Sequence, residues 1–117
     1  MAAKPTTIEE YLDSLGDVRA ETTRAIIESV LSDFPTATVK IAWNFPQIQV
    51  DGQYVLGISA AKSWLMLASW SDGFMERFAE RLSGYEINKR TFRVPVDWTP
   101  DRALLHDLVA DRLTELS

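Results

Sequence analysis

The chain has 117 residues, of which 25% are charged and 46% hydrophobic. That composition suits one soluble globular domain and excludes a disordered chain. Twelve Lys and Arg against 17 Asp and Glu leave a net charge of -5, which excludes a general nucleic-acid binder with its basic footprint. No apolar run approaches the roughly 18 residues of a membrane span. The opening Met1-Ala2-Ala3-Lys4-Pro5 lacks the apolar stretch of a signal peptide. With no cysteine, disulfides, thiolate metal sites and a Cys nucleophile are excluded, and a cytoplasmic location is expected.

Residues 1–117 read as a single domain, its ordered core expected over about 6–116. Thr7-Ile8-Glu9-Glu10 is a capping box. It opens a short helix with an apolar stripe of Ile8, Tyr11, Leu12 and Leu15, ended by Gly16. Asp17 starts a longer helix. Its stripe is Val18, Ala25, Ile26 and Val30, widened by Ile27, Leu31 and Phe34, and Pro35 stops it.

The apolar period then falls from about 3.6 to 2. Val39, Ile41, Trp43 and Phe45 alternate with Lys40, Ala42 and Asn44 as one strand. Pro46 predicts a bend, bulge or edge, and Ile48 and Val50 resume with shifted parity, as after a bulge. Asp51-Gly52 is a hairpin turn, and Tyr54, Leu56 and Ile58 line one face of the returning strand. After a turn over Ala60 to Ser63 comes a strand from Trp64 to Trp70. This strand is apolar on both faces, so the back of the sheet is either covered or presents an apolar surface.

Asp72 reads as the cap of a third helix with Phe74, Phe78 and Leu82 on one side and Met75 and Ala79 beside them, ended by Gly84. Thr91 to Val96 is a further strand. Thr99-Pro100 reads as cap and first residue of a last helix carrying Leu104, Leu105, Leu108, Val109, Leu113 and Leu116. The predicted class is α+β: an antiparallel sheet of four or five strands, two N-terminal helices, one inserted helix and a C-terminal helix.

Several segments together resemble the YdhG-like family of small bacterial domains of unknown function, over roughly residues 8 to 115. They are Ile8-Glu9-Glu10-Tyr11-Leu12-Asp13-Ser14-Leu15, Lys40-Ile41-Ala42-Trp43-Asn44-Phe45-Pro46, Asp51-Gly52 with Tyr54, Leu82-Ser83-Gly84-Tyr85 and Asn88-Lys89-Arg90-Thr91-Phe92-Arg93-Val94-Pro95. The resemblance implies a compact α+β fold with the sheet packed against helices. It also implies a frataxin-like role, since some relatives have been proposed as iron chaperones.

A weak ferrous site of that kind would use surface carboxylates. Glu9 and Asp13, and then Asp17 and Glu21, are i, i+4 pairs on the first two helices. The other reading of this ridge is a solvated face with favourable charge near two helix N-termini. Any cofactor would be iron, weakly bound, and the partner an iron acceptor or a second copy.

A second cluster is aromatic and basic: Lys40, Trp43, Asn44, Tyr54, Lys62, Trp64, Trp70, Lys89 and Arg93. It predicts a ligand or protein-interaction surface on one sheet face, the alternative being that the tryptophans fill the core. His106, the one histidine, lies off the leucine stripe and reads as a surface residue. No nucleophile elbow, phosphate loop or dinucleotide fingerprint occurs, and the predicted role is non-enzymatic binding. The short Lys89-Arg90-x-x-Arg93 patch is too small for nucleic acid, and acidic helices would be repelled by anionic lipid.

Overall fold

The computed structural model describes residues 7–71, 73–88 and 91–116. Asp72, Lys89 and Arg90 lie outside the described residues, as do the side chains of Phe74 and Met75. The elements run α1 (Ile8–Asp13), α2 (Asp17–Asp33), β1 (Ala37–Ala42), β2 (Phe45–Val50), β3 (Gln53–Ala60), β4 (Trp64–Ser69), α3 (Phe74–Phe78), β5 (Thr91–Pro95) and α4 (Arg102–Leu116). The five strands form one antiparallel meander in chain order, the arrangement that tight connections between consecutive strands dictate.

The capping box forms as expected: the Glu10 N–H donates to Thr7 Oγ1 at 3.1 Å and the Thr7 N–H to Glu10 Oε1 at 3.1 Å. Gly16 takes φ +80°, which lets the chain turn between α1 and α2. Ile26, Ile27 and Val30 of α2 are buried, whereas Val18 is 50% exposed. The buried positions near the start of α2 are Thr22 and Thr23 instead. The Thr22 hydroxyl lies 2.5 Å from the Val96 carbonyl, so a polar contact across the chain replaces the expected apolar one.

The sheet departs from the sequence reading in two places. First, the break in residues 37–50 falls at Trp43-Asn44 and not at Pro46, which makes two strands there and five in the sheet, within the four or five expected. Trp43 and Asn44 both adopt positive φ, 53° and 71°, and make a two-residue hairpin turn pairing Ala42 with Phe45. The turn itself produces the parity shift. Pro46 is tolerated in an interior strand because β2 pairs with β3 only from Gln47 onwards. Second, a bulge falls between β2 and β3, where Ile48 faces Leu56 but Gln49 faces Tyr54. Val55 is the extra residue, and both Val55 and Leu56 are fully buried. Tyr54 is thereby displaced to the opposite face from Leu56 and Ile58.

One sheet face carries Ile48, Leu56, Ile58, Leu65, Leu67, Phe92 and Val94, and it packs against Ile26, Ile27 and Val30 of α2 and Leu104, Leu105, Leu108 and Val109 of α4. A smaller cluster of Tyr11, Leu12 and Leu15 seats α1 at one end. The end of α3 and the segment after it close the same side with Phe78 and Leu82. Among the described residues no helix packs on the opposite face, so the two-faced apolar character of β4 has a surface as its outcome. The last helix begins later than expected. The Leu104 N–H donates to Asp101 Oδ1 at 3.0 Å, so Asp101, a stronger acceptor than Thr99, is the cap.

Candidate binding surface

The open face bears a ladder of rings. The tight turn at Trp43-Asn44 folds the Trp43 indole back over the sheet, 5.0 Å from Tyr54 and 5.6 Å from Trp70. Tyr54, turned outward by the bulge, stacks on Trp70 at 5.2 Å. Lys40 Nζ lies 5.8 Å from the Tyr54 ring centroid, a cation–π contact. Trp70 Nε1 donates to Gln47 Oε1 at 3.2 Å. The Gln47 side chain lies flat over Gly57, where a Cβ would stand 2.7 Å from Gln47 Oε1. Trp43 is 62% exposed and Phe45 40%, whereas Tyr54 and Trp70 are half-buried. Phe45 also meets Tyr11 edge-on at 6.4 Å.

Trp64 and Arg93 meet elsewhere. Trp64 opens β4, six residues or about 20 Å of extended strand from Trp70. The Arg93 guanidinium lies over its ring at 4.0 Å and donates from Nη1 to Glu86 Oε2 at 2.7 Å. This pair borders a cleft of about 700 Å³ at the β5 edge, with Tyr85 and Trp98 inside it. The aromatic-basic residues thus form two places rather than one. Asn44 is exposed in the first hairpin turn and Lys62 in the turn before Trp64, while Lys89 lies outside the described residues.

The carboxylate ridge is differently arranged. Glu9 accepts two bonds from Arg24, at 3.2 and 3.3 Å, and Glu10 is spent on the cap of α1. Asp13, Asp17 and Glu21 are exposed. Among the described residues no group of three or more His, Asp or Glu is close enough to hold a metal ion.

Two clusters had no signal in the sequence. Ser71, fully buried, lies with its Oγ 2.8 Å from Asp111, 3.0 Å from Glu115 and 2.6 Å from Arg77 Nη2. Arg77 grips both oxygens of Asp111, at 2.5 and 2.7 Å. The Arg77 hydrogen bond holds the Asp111 carboxyl below its usual value against the opposing effect of burial, and the Ser71 bond adds to it. The partners are 34 and 40 residues apart, so only the fold brings them together; this clasp ties the segment after β4 to α4. The exposed His106 stacks on Phe34 at 4.9 Å, with Nδ1 3.3 Å from Asp33 Oδ2. The adjacent Asp107 pairs with Arg81 instead.

No protein-family model matches the chain, and no curated protein does. Solved structures share its architecture, which defines it as an α+β domain of a five-stranded meander backed on one face by helices. A protein of the DUF1801 family, YdhG from Bacillus subtilis, superposes with a TM-score of 0.84 at 21% identity, covering 93% of this chain and 90% of its own. An uncharacterized conserved protein from Lactobacillus casei ATCC 334 gives a TM-score of 0.61 at 22% identity, over 92% and 89%. The chain has the YdhG fold, as the sequence resemblance implies, and at these identities the likeness speaks for the fold alone.

Proposed function

We propose that this is a non-enzymatic binding domain whose open sheet face recognises another protein. The observation that carries the reading is the platform of Trp43, Tyr54 and Trp70. Its rings stand 5.0–5.6 Å apart, so they pack on one another and leave their outer surfaces to be covered. The dish beside them, over Gly57 and Ala68, holds about 80 Å³, far below the roughly 300 Å³ of a small-molecule pocket. A flat aromatic surface of this size suits a protein partner, because buried Trp and Tyr supply most of the affinity at such interfaces. Lys40 is the cation beside this platform, so the partner is expected to be apolar at its centre with an acidic group facing Lys40.

A photo-crosslinking residue at position 43, compared with one at position 24 on α2, tests this. Proteins crosslinked from position 43 and lost on Trp70→Ala support it, provided far-UV circular dichroism is unchanged. Equal yields from both positions would overturn it. Sedimentation equilibrium of the chain alone identifies the case in which the partner is a second copy. The acidic ridge draws no support from the geometry, since Glu9 is engaged by Arg24. A cytoplasmic location belongs with this proposal and rests on the sequence.

A further inference from the structure

The cleft at the β5 edge has the volume that the open face lacks. At about 700 Å³ it lies within the roughly 300–1,000 Å³ of small-ligand sites. One wall is aromatic and fixed. Trp98 Nε1 donates to Tyr85 Oη at 3.3 Å, and Tyr85 packs on the fully buried Phe92 at 5.6 Å. The Tyr85 N–H is bound to the Leu82 carbonyl at 2.9 Å. At the other wall the Arg93 guanidinium lies over the Trp64 ring, 4.0 Å from its centroid. That cation–π contact holds the guanidinium in place, and its remaining N–H groups stay available as donors.

Charge completes the site. Arg81 and Arg93 line the cleft with one acid, Glu86; Arg81 is engaged by Asp107, so Arg93 is the cation that a ligand can reach, in a protein whose net charge is -5. Glu86 engages one of the five N–H donors of Arg93 and is itself 76% exposed. An ion pair so exposed is held weakly, so a carboxylate entering the cleft can take its place.

We propose that the cleft binds a small aromatic carboxylate, with its ring against Tyr85 and Trp98 and its acid group on Arg93, beside Trp64. This site is separate from the proposed protein-binding face and stands or falls independently of it. The test uses 2-naphthoate and its uncharged analogue 2-naphthamide, titrated while following the indole N–H signals of all four tryptophans. Naphthoate is expected to shift Trp64 and Trp98 saturably. Naphthamide and the Arg93→Gln variant should each bind about tenfold more weakly, the equivalent of about 1.4 kcal/mol. Glu86→Gln should bind naphthoate more tightly, because it removes the competing carboxylate; a residue that only positioned Arg93 would give the opposite. Equal affinity for the two compounds, no saturable shift, shifts confined to Trp43 and Trp70, or a weaker Glu86→Gln variant would each overturn the proposal. Should Arg93→Gln fail to fold, the comparison of the two compounds on the unaltered protein decides the matter.

Discussion

Replacing Tyr11 by Phe isolates a single bond that fastens α1 to the sheet. The pairing of β2 with β3 stops at Gln47 and Gly57, so the N–H of Ala60 lies beyond the end of the ladder. It donates to Tyr11 Oη at 3.0 Å. The Tyr11 ring is 5% exposed, and phenylalanine keeps its packing, including the edge contact with Phe45. What is lost is the acceptor, and an unsatisfied, partly buried N–H costs about 1–2 kcal/mol. Unfolding entropy of about 2.1 cal/mol/K per residue, over 117 residues, is about 0.25 kcal/mol/K. The expected fall in Tm is therefore about 4–8 °C, followed by circular dichroism, with faster hydrogen exchange at the Ala60 amide.

The same residue gives a signature in alkali. Burial pushes the Tyr11 hydroxyl above its usual value of 10.0, against the opposing effects of the Ala60 bond and of Arg19. A raised acid is most stabilising while protonated. Its contribution is complete below pH 10 and is lost as pH rises through the raised value. Tyr11→Phe should therefore flatten the alkaline fall in stability. A Tm within 1 °C of the parent, with unchanged protection at Ala60, would refute the reasoning.

Three further outcomes test the fold and its clasp. Asn44 has φ +71°, so Asn44→Val should cost about 1–2 kcal/mol in urea denaturation while Asn44→Gly is tolerated. Leu67 is fully buried between Ile58 and Phe92, and Leu67→Ala should cost about 2–5 kcal/mol, a Tm loss of about 8 °C or more. Because Arg77 holds the Asp111 carboxyl low, the clasp stabilises the fold above the usual carboxylate range and is lost as pH falls through the lowered value. Asp111→Asn should thus lower stability at pH 6 and have a smaller effect in strong acid, measured by urea denaturation at each pH.

Much of the architecture was legible in local chemistry. The Thr7–Glu10 box, Gly16, Asp51-Gly52 and the alternating stretches each form what their residue types demand over a few positions. The split between β1 and β2 has a weaker local signal, because Trp43 continues the apolar alternation into a turn that only Asn44, a residue tolerant of positive φ, marks. The outward face of Tyr54 follows from a bulge, which depends on how two strands pair and which one strand's own alternation does not show. The aromatic-basic set was found in the sequence, but strand pairing divides it into a platform around Trp43 and a cleft around Trp64.

The linear chain by itself determined the class, the order of the helices among the strands, and the apolar side of α4 and of α2 beyond its first turns, since these follow from periodicity and from backbone preferences within a turn or two. Three-dimensional packing alone decided that no helix among the described residues covers the back of the sheet, that Glu9 is occupied by Arg24, and that Ser71, Arg77 and Asp111 converge. Such contacts join residues 15 to 40 positions apart, and no local preference encodes them. They form because burying the core on one side of the sheet fixes where every remaining polar and aromatic group must stand.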